Sequence, residues 1–291
     1  MSYKQDLLKR IEALEVSRNL IDGEIATAKA SLKQLEDKQQ AAWAENPYVK
    51  DRKTKRLAEY CRSLGYIVVG CQTKEPDSSF YMIAKTILKR HDDAVPFLKE
   101  LYSHRNKEFS YSIVELPADR KTDLLNICTQ MGKNGWISFS KDKSALRVTS
   151  SFPKSESNFL NGGWAEYANR YLLNKVLTDY SRSHKLKFKI FWDIRLKRID
   201  TNNSSSHDMQ LDLAAQIDDI FYIFETKSGV FGIQRWVERA NIFNQNGNRF
   251  LTCCLDSSIN PKLFQPYSLL PLEHLEEQLT KLLDHDTSSS R

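Results

Sequence analysis

The 291-residue chain is poor in the features that usually settle a protein's class at once. It has five cysteines, Cys61, Cys71, Cys128, Cys253 and Cys254, and no two are spaced as CxxC. No cysteine–histidine group has zinc-finger spacing, and an odd, scattered set is a poor disulfide framework. Reduced thiols in a cytoplasmic protein are the expectation. No apolar run approaches the ~20 residues of a membrane span. The opening stretch MSYKQDLLKRIEALEVSR is charged throughout and lacks the apolar centre of a signal peptide. Excess charge of one sign is also small: the formal net charge is +6, compatible with nucleic acid but common without it. These absences exclude a zinc finger, a disulfide scaffold and a membrane partner.

What is present begins with a repeat. Positions 7, 11, 14, 18, 21, 25, 28, 32 and 35 are Leu, Ile, Leu, Arg, Ile, Ile, Ala, Leu and Leu. The steps alternate four and three, as the a and d positions of a heptad do. Only Arg18 breaks the apolar seam. Residues 1–46 therefore read as a coiled-coil helix, ended by Asn46-Pro47. Such a stripe needs a partner: a second copy, giving a homodimer or higher oligomer, or a later helix folding back.

Residues 48–105 read as a basic α/β segment. KDRKTKRLAEYCRSLG is a helix closed by Gly65, YIVVGC a short buried strand, and SSFYMIAKTILKRHDDAVPFLKELYSHR helical with a break at Pro96. The charge run from Lys50 to Arg56 reads as a solvated face ahead of a phosphate contact. Residues 106–151 fit a small winged-helix-like module. ADRKTDLLNICTQMGKNG is its amphipathic helix, and WISFSKDKSALRVTS gives two strands around a Lys-Asp-Lys turn. Its basic residues Lys121, Lys133, Lys141, Lys143 and Arg147 suit DNA contact. The same module could equally be a packing element between domains.

FPKSESN is polar and reads as a linker. Residues 158–285 then run helix, strand, strand, strand, helix, strand, helix, with TNNSSSH as a polar loop and DTSSSR as a disordered tail. That order predicts an α/β domain, a mixed sheet flanked by helices.

The chemistry concentrates on two strands. MQLDLAAQI places Asp212 between apolar neighbours. DIFYIFETK places Glu225 and Lys227 two apart, on one face. A hairpin turning at Gln216–Asp219 would bring Asp212 beside Glu225. Two such carboxylates repel and are costly to desolvate. A hard divalent cation, Mg2+ or Mn2+, relieves both problems, with the Thr226 carbonyl as a further oxygen ligand. A bound metal polarises a phosphodiester and acidifies an attacking water. Lys227 can orient that water or stabilise charge in the transition state.

Asp, a dozen residues, then Glu-x-Lys resembles the PD-(D/E)xK nuclease superfamily. With FLNGGWAEYA upstream and the strands QLDL and ETKSG, the chain is similar to the winged-helix and nuclease part of CARF-domain CRISPR-associated DNases, which cyclic oligoadenylate activates. The resemblance covers roughly residues 109 to 283. It implies a restriction-endonuclease-like fold, adds Glu166 as a catalytic and metal-binding acid, and implies an antiviral defence effector acting on DNA ahead of RNA. Two departures stand out. Gln210 occupies a position where the family usually has a glutamate, and heptads and a basic segment stand where a CARF sensor would be. Activation by cyclic oligoadenylate is accordingly not carried over, and a regulatory partner is expected in its place.

Blander readings compete. Glu225 and Lys227 could form an edge-strand ion pair contributing roughly 0–1 kcal/mol, but that explains neither Asp212 nor Glu166. Gln234, on the following helix, could seat a phosphate or be plain helix surface. His207 could be a base but sits in a polar loop. Trp164 and Trp236 read as core, and Asp193 is left unassigned. The alternative function is a non-catalytic nucleic-acid-binding or assembly module with a degenerate nuclease fold.

Overall fold

A computed structural model describes residues 3–74, 78–153, 157–199, 208–229, 233–245, 247–255 and 268–289. The chain is a mixed α/β protein with a long N-terminal helix and a mixed six-stranded sheet flanked by helices. It divides into two compact units, Met1–Val68 with Lys197–Ser206, and Val69–Leu196 with His207–Arg291. No described helix is long and apolar enough to cross a membrane.

In the first unit, helix α1 spans Tyr3–Glu45, about 65 Å at 1.5 Å per residue. Leu7, Ile11, Leu14, Ile21, Ile25, Leu32 and Leu35 of the heptad seam are all exposed. Asn46 ends the helix. Its side chain accepts from Tyr48 N at 2.8 Å and donates to Val68 O at 3.0 Å. Pro47 then opens the short helix α2, Pro47–Lys50, where a missing N–H costs nothing. Helix α3, Lys55–Ser63, buries Leu57, Ala58 and Cys61 and turns at Gly65, whose φ of +85° suits glycine. Strand β1 follows, Tyr66–Gln72. The sequence reads it as buried, but Val69 is exposed and only alternate residues at its start are covered, because it is a sheet edge.

The second unit begins with α4, Ser78–Lys89, and α5, His91–Ser103. The break lies at Arg90 rather than Pro96, which sits inside α5. Arg90 is drawn out of the helix by acceptors elsewhere: it donates to Asp123 Oδ2 at 2.7 Å and Asp119 Oδ2 at 2.6 Å. Both acceptors are on α6, Ala118–Lys133. Strands β2 (Glu108–Ser112), β3 (Ile137–Lys141) and β4 (Ala145–Ser150) form an antiparallel sheet in the order β2-β4-β3. Asp142 closes the β3–β4 turn by accepting from the N–H groups of Ser144 and Ala145 at 2.8 and 2.7 Å.

The larger sheet follows a π turn, Phe159–Gly163, and helix α7, Trp164–His184. Strand β6 (Met209–Ile217) pairs antiparallel with both β5 (Phe188–Arg198) and β7 (Ile220–Lys227). Helix α8, Ile233–Phe243, crosses to β8, Arg249–Cys254, which runs parallel to β7. The sheet order is β1-β5-β6-β7-β8-β9. Strand β9, Ser268–Pro271, is absent from the sequence reading because its four residues are too few to show a period. After a short 3-10 turn, α9 spans Leu275–Ser289. One apolar core runs from Ile83 through Trp136, Trp164 and Phe224 to Leu283.

The expectation of a disordered DTSSSR tail is corrected at residues 286–289, which are helical. Asp286 explains why. It is only 6% exposed and accepts from Arg249 Nη2 at 2.7 Å and Tyr222 OH at 3.1 Å. These bonds anchor the end of α9 to β7 and β8. The TNNSSSH loop, with His207, lies outside the described residues.

Candidate active site

The hairpin β6–β7 pairs Leu213 with Phe224 and Ile217 with Ile220. It turns at Asp218, whose φ is +49°. The same register carried one step further sets Asp212 opposite Glu225. The backbone confirms their proximity, since Thr226 N donates to Asp212 Oδ2 at 2.7 Å. The apolar residues of β7 bury it on both faces, as expected of a strand near the centre of a sheet covered by helices. That burial carries Glu225 down to 1% exposure and Thr226 to 4%. Lys227, at the strand's end, is half-buried.

Glu166 arrives on the first turn of α7. The GG preceding it has a geometric purpose. Gly162 has φ +103°, and a Cβ there would stand 2.3 Å from Ser228 Oγ. A Cβ on Gly163 would stand 2.7 Å from Asn158 O. Gly162 lets the turn approach Ser228, the residue that follows Glu-Thr-Lys, and Gly163 lets the turn itself close tightly over Asn158. One turn on, Asn169 is fully buried and donates to Thr226 Oγ1 at 2.8 Å.

The electrostatics are those of crowded acids. Burial, then Asp212, pushes the Glu225 carboxyl well above its usual range, while Arg239 and Lys227 draw it down. Burial likewise raises Asp212, against the Thr226 N–H and Lys227. Asp212 and Glu225 are close enough to share a proton through a hydrogen bond, so they titrate as a pair. Glu166 is raised first by the protein crowded round it, then by Asp212, with Asp193 adding to the push. Its outer edge is nonetheless solvent-exposed. Glu166 is thus both crowded by acids and within reach of water.

Residues the sequence reading did not assign complete the site. Arg239, on α8, donates through Nη1 to Glu225 Oε1. Its guanidinium lies 5.4 Å from the centre of the Trp236 ring, and Lys227 Nζ lies 5.0 Å from the same ring. Trp236 is 8% exposed, buried as expected, but it also carries both cations. Asp193 stands across from Asp212 in the β5–β6 register, between the paired residues Trp192–Leu213 and Ile194–Leu211. Its φ is +48°. It accepts from Arg195 Nη2 at 2.7 Å, Gln210 Nε2 at 2.9 Å and Gln72 Nε2 at 3.1 Å. The register could have shown Asp193 from the sequence; nothing local marks Arg239 or Asn169.

The remaining candidates are dispersed. Lys141, Lys143 and Arg147 are exposed on or beside the β3–β4 hairpin, and Lys133 is exposed at the end of α6. Lys121 is half-buried near the start of α6 and donates to Val114 O at 3.3 Å. Twelve residues of helix put Lys121 about 18 Å from Lys133 along the axis. Gln234 belongs to the first turn of α8; its side chain lies outside the described residues.

Carboxylate oxygens from Asp212, Glu225 and Glu166 and the Thr226 carbonyl are hard donors, and mutual repulsion in a desolvated site is what a hard cation relieves. By donor chemistry the residues fit Mg2+ or Mn2+. Among the described residues, however, no three acidic, histidine or cysteine groups stand gathered as a finished metal cage, and Glu225 is turned to Arg239.

No protein-family model and no curated protein matches the sequence. Solved structures do match. Protein VC1899 from Vibrio cholerae aligns at 13% identity and TM-score 0.52, over 79% of this chain and 61% of that one. Can2 from Sulfobacillus thermosulfidooxidans, solved in complex with cyclic tetra-adenylate, aligns at 14% identity and TM-score 0.51, over 77% of this chain and 59% of that one. The chain thus spans about three fifths of each structure's length, and at these identities the likeness is one of fold.

Proposed function

We propose that the chain is a metal-dependent nuclease that cleaves phosphodiester bonds, in DNA ahead of RNA, as an effector of antiviral defence. The observation that carries this reading is the convergence of Glu166, Asp212, Glu225 and Lys227 from α7, β6 and β7 on one cleft. Residues 158–285 are its nuclease-like domain and residues 106–151 its winged-helix-like module. The fold shared with Can2, a protein solved with cyclic tetra-adenylate, supports the defence setting.

Asp212, Glu225, Glu166 and the Thr226 carbonyl would hold Mg2+ or Mn2+. When bound, such a cation supplies a polarised phosphodiester and a water of lowered pKa. Lys227 orients the attacking water through its ammonium and offsets charge at the phosphoryl oxygens. Thr226 N holds Asp212 in place, and Asn169 holds Thr226. Gln234 helps seat the phosphate. Lys133, Lys141, Lys143 and Arg147 contact the backbone of the duplex, and Lys121 contributes from the other end of α6. The exposed seam of α1 joins two copies into a homodimer. An enzyme of this kind must be restrained in its own cell, so a regulatory protein or small activator controls it.

Plasmid cleavage in Mg2+ or Mn2+ by the wild type, Asp212→Ala and Lys227→Ala tests the reading. Loss of about 10³-fold or more in each variant is expected; equal cleavage by all three would sink it. A second reading, a non-catalytic binding and assembly module, is favoured by Gln210, which cannot supply a charge. It predicts salt-sensitive DNA binding with no cleavage in any metal.

A further inference from the structure

We infer that Arg239 is a further catalytic residue: it holds Glu225 while the metal is absent and passes its guanidinium to a phosphate oxygen when a nucleic-acid strand docks. The inference rests on the nuclease reading above. Trp236 and Arg239 lie three apart on α8, so they share a face. Arg239 caps Glu225, and the indole of Trp236 carries both Arg239 and Lys227. Two cations over one ring repel each other unless anions stand close. In the described structure Glu225 and Asp212 supply that charge, with Glu225 the one Arg239 bonds directly.

A divalent cation between Asp212 and Glu225 competes for the same carboxylate oxygens. With Glu225 committed to a cation, Arg239 would give up that partner while still lying over the Trp236 ring. The Arg239 side chain is 22% exposed, against 1% for Glu225, so of the two it is the one within reach of an incoming strand. The group that brings a new anion to this position is the phosphodiester itself. A guanidinium suits it, because its planar fork matches two phosphate oxygens where an ammonium offers a point charge. Lys227 and Arg239 then flank the phosphate, one beside the attacking water and one on the non-bridging oxygens. The exchange makes metal binding and substrate binding mutually supportive, since each removes a competitor of the other.

The test separates this role from a structural one by the sign of two effects. Mn2+ is titrated calorimetrically into the full-length wild type, Arg239→Gln and Arg239→Lys, and single-turnover cleavage is measured at saturating Mn2+. Arg239→Gln is expected to bind Mn2+ about tenfold more tightly, within the usual range of coupling between sites. It is expected to cleave about 10²-fold more slowly, the usual loss for one charge-stabilising donor. Arg239→Lys keeps the charge and should retain wild-type Mn2+ affinity with part of the cleavage. Equal or weaker Mn2+ binding by a folded Arg239→Gln overturns the role given to Arg239 and leaves the nuclease reading standing. Should that variant misfold, Arg239→Lys decides alone: undiminished cleavage overturns the role, and partial cleavage with unchanged affinity supports it. Absence of Mn2+ binding in every form overturns both.

Discussion

Glu225 shows at the scale of a residue how the site is held. A carboxylate at 1% exposure is expensive to bury unless each oxygen is answered. Asp212 and Arg239 answer it here. Around that centre Asn169 has the clearest positioning task. It is fully buried and donates to Thr226 Oγ1 at 2.8 Å. Asn169→Leu should cost about 1–3 kcal/mol, because it leaves Thr226 buried without its donor. If Asn169 positions the site, kcat falls while KM for DNA stays; urea unfolding and steady-state kinetics read the two effects. The meeting of Asp212 with Glu225, and Lys227 on the same face, was legible in the sequence because a hairpin with a two-residue period fixes which side chains meet. Glu166 entered only through the resemblance carried by FLNGGWAEYA. Arg239 was not legible. Its approach to Glu225 depends on how a crossover helix lies over the sheet, and nothing in the local pattern of IQRWVERANIF encodes that.

The elements carry two further consequences. The turn that leads into α7 comes close to Ser228, just past β7, where Gly162 has no Cβ and adopts φ +103°. Gly162→Ala should shift Glu166 away from the cleft and cost about 1–3 kcal/mol from strain. Thermal melting should show the loss, and Mn2+ affinity should weaken in parallel. The end of α9 is the second case. Read from composition, DTSSSR looks like a tail, and serines and threonine indeed carry little helical signal. The helix persists there because Asp286 finds Arg249 and Tyr222, which are far away in sequence. Burial alone would raise the Asp286 carboxyl, but hydrogen bonds led by Arg249 hold it below the usual range. A depressed folded pKa contributes stability that is present above the unfolded value and is lost as pH falls through the folded value. Removing residues 286–291 should therefore destabilise the protein at pH 7 by about 1–3 kcal/mol. The difference from wild type should shrink as acid protonates Asp286, below about pH 4. Equal denaturant midpoints at pH 7 would return the segment to the status of a tail.

At the scale of the whole molecule, the proposed function gives the heptad seam and the six-stranded sheet separate tasks. The long helix was legible because its period persists through five turns and more, and its seam is exposed in the single chain. Leu14→Asp together with Ile25→Asp should convert a homodimer to monomers in light scattering. Mn2+ affinity should stay unchanged, since no seam residue is among the proposed ligands. The extra strand β9 and the position of Arg90 at the break between α4 and α5 were not legible, because tertiary partners set both. The central claim is that Asp212 and Glu225 exist to share a divalent cation. Crystals grown with Mn2+ and measured for anomalous scattering test it most directly. The account predicts a peak between the two carboxylates, with the Thr226 carbonyl in its coordination sphere and Arg239 turned from Glu225. Crystals with Mn2+ bound elsewhere, or with Arg239 still on Glu225 and no peak between the acids at saturating Mn2+, would contradict it.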